Sequence, residues 1–311
     1  WLKRVRHCVC NKQNRSPHVP DACGQPADGT SMTTRKYGGD AYGEWTRDDH
    51  NLPCYDLDLS RLPTHCPPLL HLLGTGQCWV LPDQHAAFPI IMTQTDPPAC
   101  LNAMSGSHLG GVLLTLATAD ARVPFQPADL ETTPHPAMRW GIGYVRYTGR
   151  MRLGSAGPAV SITFDVTAPR NTPFIIVSVD ITNEEETEIS LGATLSLQLN
   201  PSPADSFAPA PHPFVRDGVA ILADVHDQAG DVFIAGEETW SPFAQGCYLA
   251  LEHDFTIPEG KTVQAHFLVG ASQQCSVDWL HDQLSKHEAD TAKAGWAELL
   301  GPVRPRAPEL W

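Results

Sequence analysis

The side chains best suited to chemistry in this chain are scattered tryptophans and two acidic clusters. Trp45, Trp79, Trp140 and Trp240 each carry an aromatic face of the kind that stacks on the apolar C–H face of a pyranose ring. Trp79 lies inside the apolar run Cys78-Trp-Val-Leu81 and reads as core. Trp45 and Trp140 flank turns, and Trp240 sits in the loop-like stretch Glu237-Glu-Thr-Trp-Ser-Pro. Tyr144, at the end of Trp140-Gly-Ile-Gly-Tyr, joins them as a candidate sugar contact. Asp48-Asp49 offers carboxylates that can accept from sugar hydroxyls, with turn capping as the plainer reading. Glu184-Glu-Glu186 reads as a solvated hairpin tip. Cleaving a glycosidic bond by hydrolysis takes two carboxylates held on opposite sides of it. Neither cluster presents that arrangement, so no catalytic residue is assigned.

Other chemistries find less support. Cys8-x-Cys10 with Cys23 and His18 provides one pair of ligands, whereas a structural zinc site shows two paired clusters at set spacing. His65-Cys66 and His71 fare no better, so no metal is expected. No Gly-x-Ser-x-Gly elbow, phosphate loop or His-Glu-x-x-His helix is present. Gly74-Thr-Gly76 is followed by no helix pattern and is not a dinucleotide loop. With 35 acidic against 21 basic residues, the net charge of −14 argues against a nucleic-acid partner, which needs a basic face.

No run of about eighteen apolar residues occurs, so no transmembrane helix is expected. The nine cysteines are odd in number and irregular in spacing, which reads as reduced thiols and a cytoplasmic location. The opening Trp1-Leu-Lys-Arg-Val-Arg-His is basic, lacks the apolar core of a secretory signal and has no initiator Met. The chain reads as a fragment, or as one carrying a foreign leader.

Residues 1–36 show no periodicity and are expected to be an irregular leader. The stretch 37–60 reads as a first hairpin, and 61–137 as short strands broken by Gly74-Thr-Gly76 and Asp96-Pro-Pro98. Val177, Val179 and Ile181 alternate with polar residues, and Ile189, Leu191, Leu195, Leu197 and Leu199 continue at period two. That pattern predicts a one-face-buried antiparallel pair joined by the acidic turn at 183–188. A Pro-rich loop at 201–213 follows. Residues 247–257 and 262–270 read as a second hairpin around Pro258-Glu-Gly-Lys261. At Ser276 the character turns helical, with Leu280 and Leu284 one turn apart and Trp296, Leu299 and Leu300 as a second apolar cluster. Gly301-Pro302 stops it, and 303–311 reads as extended linker. So many short strands cannot form one flat sheet; the fold class is all-β, a large antiparallel sandwich of two facing sheets with a short C-terminal helical linker. The sandwich is expected over 37–272 and the linker over 273–311.

Four segments in this order resemble a known family. Gly43-Glu-Trp-Thr-Arg-Asp-Asp-His-Asn-Leu-Pro-Cys-Tyr55 is similar to the Gly-x-Trp-Thr-x-Asp-x-x-Gly-Leu-Pro-x-Tyr opening of bacterial relatives of cellobiose phosphorylase. Asn51 stands where that pattern has Gly, and both tolerate a left-handed backbone. Trp140-Gly-Ile-Gly-Tyr-Val-Arg-Tyr147 resembles the family's (His or Trp)-Gly-(Leu/Val)-Gly-Tyr segment, and 174–199 its strand, Thr-Asn, acidic turn and strand. Thr256–Lys261, Phe267–Ala271 and Trp296–Leu300 resemble the end of the same domain. The likeness covers roughly residues 40–311.

The resemblance implies the N-terminal β-super-sandwich, galactose-mutarotase-like in architecture, and the helical linker of the family 94 glycoside phosphorylases. In that family a following (α/α)-barrel carries the general-acid Asp and the phosphate site. Phosphate is itself the nucleophile in these inverting enzymes, so one protein carboxylate suffices. This chain stops where that barrel would begin, and no catalytic residue is carried over. The expected role is therefore a non-catalytic domain that supports the barrel, walls the sugar cleft and contributes to a dimer. No cofactor is expected; inorganic phosphate is the co-substrate if the whole enzyme is a phosphorylase. The expected partners are a β-linked gluco-oligosaccharide, a barrel domain or a second copy. The alternative is a free-standing carbohydrate-binding module, and a third reading, by fold analogy alone, is an epimerase-like activity within the sandwich.

Overall fold

The computed structural model describes residues 39, 41–63, 66–86, 91–93, 99–102, 111–127, 137–199, 212–226 and 230–300. The expected leader at 1–36, the Cys8/Cys10/Cys23/His18 group, His65, the 201–211 loop and the 301–311 linker lie outside them. Described strands run β1 Gly43–Arg47, β2 Pro53–Asp58, β3 Leu73–Gly74, β4 Cys78–Val80, β5 Ile91–Thr93 and β6 Ala99–Asn102. Next come β7 Gly111–Ala117, β8 Arg122–Pro124, β9 Ala137–Gly141, β10 Tyr144–Arg152, β11 Ala159–Thr167, β12 Phe174–Asn183 and β13 Ile189–Gln198. The last six are β14 His212–Arg216, β15 Val219–His226, β16 Gly230–Ala235, β17 Ser241–Gln245, β18 Tyr248–Ile257 and β19 Thr262–Ser272. Two helices follow, α1 Val277–Lys286 and α2 Ala289–Leu300.

The strands form a ten-stranded sheet ordered β1-β2-β9-β10-β11-β12-β19-β16-β15-β14. A five-stranded sheet, β17-β18-β13-β7-β8, and a small sheet, β3-β4-β5-β6, complete the set. All pairings are antiparallel, so the all-β sandwich is the observed architecture. Alternation along β10 to β12 sends Val145, Tyr147, Phe164, Val166, Val177 and Val179 inward. There they share one core with Leu114 and Leu116 of β7, Leu195 and Leu197 of β13, and Leu249 and Leu251 of β18.

Two expected hairpins are something else. The strands β12 and β13 belong to different sheets: β12 pairs with β11 and β19, and β13 with β18 and β7. Likewise β18 and β19 do not pair with each other. Residues 184–188 and 258–261 are therefore arches that carry the chain from one sheet to the other. Period two is the same for a hairpin and an arch, because alternation fixes which face is buried and not which strand lies alongside.

Asn183, 1% exposed, ties the two arches together. Its Nδ2 donates to Thr187 O at 2.7 Å and to Ile257 O at 3.0 Å, while Oδ1 accepts from Glu185 N at 2.8 Å. Its own N–H donates to Lys261 O at 3.0 Å. The acidic turn is also more than a solvated tip. Glu185 Oε1 accepts from Ala159 N at 2.6 Å, and Glu184 accepts from the Ser161 hydroxyl.

The one-face expectation for β12 also yields. Its inward residues join the main core, while Phe174 and Ile176 face outward into a second core with Phe233, Leu268 and Leu280. Helix α1 supplies that cover, starting where Ser276 Oγ accepts from Trp279 N at 3.2 Å. Of the second apolar cluster, Trp296 is docked on the sandwich by a 2.8 Å bond from Nε1 to Ala168 O, whereas Leu299 is 43% exposed.

Replacing Asn183 with Ala strands the buried Ile257 carbonyl and the part-buried Thr187 carbonyl and Glu185 N–H. The expected loss is about 3 kcal/mol of unfolding free energy, read as a lower urea midpoint. A loss under about 0.5 kcal/mol would show that the arches hold without it.

Candidate functional site

The two segments that flank turns each build a tight hairpin. Between β1 and β2, Asp48 Oδ1 accepts from His50 N at 3.0 Å and Leu52 N at 2.8 Å. Asn51 takes the left-handed backbone, φ +61°, that the Gly-like position requires. Asp48 is thus engaged as a turn cap. Between β9 and β10 the turn is Ile142-Gly143, with Gly143 at φ +77°. Tyr144 lies across its register partner Gly141, where a Cβ would collide with the ring.

These hairpins meet, because β2 pairs with β9. Trp45 stands opposite Tyr55, and Tyr55 opposite Trp140, so the three rings share one face of the large sheet. Trp45 and Tyr55 pack edge to face at 5.1 Å between centroids, and Tyr55 and Trp140 stack at 5.8 Å. From the loop before β3, His71 stacks on Trp140 at 5.6 Å with the planes 3° from parallel. His71 Nε2 donates to Gly141 O at 3.1 Å, because a carbonyl can only accept, and this fixes the tautomer. Burial holds the His71 pKa below the ordinary imidazole value, only partly offset by that bond, so the ring is neutral at pH 7.

The inner members of this row spend their faces on one another. Tyr55 is 7% exposed, whereas Trp45, on the edge strand, is 47% exposed. The row therefore ends in a single open indole, backed by aromatic rings. At its inner end Trp140 Nε1 is buried and has no hydrogen-bond partner among the described residues.

The opposite face of the same strands is charged. Arg139 makes a bidentate bond to Asp56, with Nε–Oδ1 at 2.6 Å and Nη2–Oδ2 at 3.0 Å. Arg146 grips Asp165 the same way, at 2.8 Å for both contacts. Helix α2 adds Lys293, 5% exposed, whose Nζ donates to Asp165 Oδ2 at 2.7 Å and lies 5.0 Å from the Tyr144 ring centroid. Burial alone would raise the Asp165 pKa; Arg146 and Lys293 outweigh it and hold it below the ordinary carboxylate value. Burial pushes the Tyr144 phenol well up, so it stays neutral.

The five candidate contacts therefore divide. Trp45 and Trp140 share the aromatic row. Tyr144 and Asp48 belong to the other side of the sheet, Tyr144 at 3% exposure. Trp240, 3% exposed, is packed in the core against Phe267 at 4.6 Å, and against Phe255 and His253. It has no open face for a ligand. Trp79 is half-buried in the small sheet, over Gly74. Tyr55 is not among the five candidates, and His71 stands in the sequence only beside a metal-ligand pattern. Tyr55 follows from pairing β1 with β2 at the Asp48–Asn51 turn; nothing local marks His71, which reaches the row from a loop.

No family model matches this chain, and no curated protein matches it. Among solved structures it is similar to one named as a kojibiose phosphorylase from the human microbiome, at 8% identity and TM-score 0.47. That match covers 85% of this chain and 38% of the other. It is also similar to one named as an aldose 1-epimerase from Escherichia coli K12, at 11% identity and TM-score 0.40, covering 66% and 99%. A galactose mutarotase-like protein from Lactobacillus casei matches at 8% identity and TM-score 0.41, covering 66% and 100%. At these scores the likenesses add nothing to the fold argument, which rests on the strand pairing.

Because its folded-state pKa is depressed, Asp165 contributes stability that is fully present above the ordinary Asp value of about 3.9 and fades as pH falls through and below it. Asp165→Asn leaves Lys293 and Arg146 without their buried anion. The expected cost is about 3 kcal/mol at pH 7, shrinking below about pH 4, where the carboxylate of the unfolded wild-type chain takes up its proton while the folded one is still ionised. Urea titrations of both proteins between pH 3 and 7 measure this; a pH-independent difference would contradict the assignment.

Proposed function

We propose that this chain is the non-catalytic sandwich domain of a carbohydrate-active enzyme resembling the inverting glycoside phosphorylases, and that it holds a β-linked gluco-oligosaccharide against Trp45. The observation that carries the proposal is the row Trp45–Tyr55–Trp140–His71, with Trp45 open at 47% on the edge strand. An indole whose orientation is fixed by neighbouring rings is a preorganised platform for the C–H face of a pyranose. The two segments most similar to the phosphorylase pattern, 43–55 and 140–147, supply Trp45, Tyr55 and Trp140, and they adjoin through β2 and β9.

In this reading the acid and the phosphate site come from an (α/α)-barrel approached through α2, and a second copy of the domain is a further partner. The free thiols Cys54, Cys66, Cys78, Cys247 and Cys275 suit a reducing, cytoplasmic compartment. No described helix is long and apolar enough to cross a membrane.

One stacking face predicts weak binding, with Kd near the millimolar range. Calorimetric titration with cello-oligosaccharides is expected to show it, and Trp45→Ala is expected to weaken it at least tenfold while Trp240→Phe leaves it intact. Unchanged affinity in Trp45→Ala would sink the site. Release of sugar 1-phosphate by the 311-residue chain would overturn the non-catalytic reading.

A further inference from the structure

The turn that carries Trp140 is gripped from both sides. On one side is the aromatic row. On the other is helix α2, which buries Ala289 in the second core and Lys293 against Asp165. Trp296 lies directly on Gly143, where a Cβ would run into the indole. Its Nε1 donates to Ala168 O at 2.8 Å, and Ala168 N donates back to Gly143 O at 2.8 Å. Lys293 lies over Tyr144, and Tyr144 over Gly141. Gly141 O then accepts from His71 Nε2 at 3.1 Å, and His71 stacks on Trp140. An unbroken chain of contacts thus joins the helix to the row through Gly143, Tyr144 and Gly141 of the turn and then His71.

We infer that Trp296 and Lys293 of α2 are positioning residues for the aromatic row, acting through the Gly141–Tyr144 turn. The inference deepens the sugar-site reading and rests on it for its functional meaning. Helix α2 sets the height of Gly141 O, and Gly141 O sets the tilt of His71 against Trp140. Any domain or ligand that shifts α2 is therefore read at the row. Coupling between two sites is reciprocal, so a sugar on Trp45 tightens the seat of α2.

The test uses the 311-residue chain with labelled tryptophan side chains, the Trp140 indole signal being assigned with Trp140→Phe. Trp296→Ala and Lys293→Met are each expected to move the Trp140 indole resonance and leave that of core Trp240 in place. Cello-oligosaccharide affinity should fall about fivefold. Trp296→Phe keeps a ring on Gly143 but loses the bond to Ala168, so an intermediate shift is expected; this variant decides the matter if the other two do not fold. Exchange at the amides of 289–300 is expected to slow when sugar is added. A Trp140 signal that stays put while those amides lose protection in a variant would overturn the inference. Absence of sugar binding in the unsubstituted chain would instead defeat the sugar-site reading, and the Trp140 resonance would still report the mechanical link.

Discussion

Asn183 sits where β12 leaves the large sheet and the chain returns to it in β19, and the sandwich depends on what happens there. A sheet this wide has two apolar inner rows to bury, and only a chain that changes sheets can lay one over the other. The arches at 184–188 and 258–261 make that change side by side. Four hydrogen bonds from one buried amide residue keep them in register. With the arches fixed, β12 pairs β19 in one sheet while β13 pairs β18 in the other, so the central strands of both sheets are set together. The hairpin β9–β10, then β2 and the edge strand β1, are added outward from this centre.

That outward addition explains why the two faces of the outer strands differ. The inner face near the edge continues the core as aromatic rings and ends in an open indole. The outer face cannot continue an apolar core, because α2 contributes a lysine there and not a leucine. Burying an ammonium is tolerable only beside a carboxylate that is itself held, and Arg146 holds Asp165 by both oxygens. The same hairpin therefore transmits two kinds of contact, stacking on one side and charge on the other.

Much of the fold was legible from residue order. Period-two alternation in 177–199 and the turn signal at Pro258–Lys261 between 247–257 and 262–270 mark the central strands, Ser276 marks the start of α1, and Asn51 marks a left-handed turn. The partners of those strands were not legible, because burial alternation is blind to whether a turn stays within a sheet. Of the aromatic row, Trp45 and Trp140 stand out in the sequence because they flank turns. Trp240 misled because Glu237-Glu-Thr before it and Ser-Pro after it read as loop, although a tight turn returns the indole to the core. The role of Lys293 lies 128 residues from Asp165 along the chain, a distance no local pattern spans.

The central claim is that a sugar ring stacks on the open face of Trp45. A crystal of this chain soaked in cellotetraose tests it most directly. The account predicts a pyranose stacked on the Trp45 indole at the edge of β1, with the rings of Tyr55, Trp140 and His71 unmoved behind it. A sugar bound elsewhere on the sandwich with Trp45 bare, or an empty Trp45 at saturating sugar in a crystal where that edge is open to solvent, would contradict it.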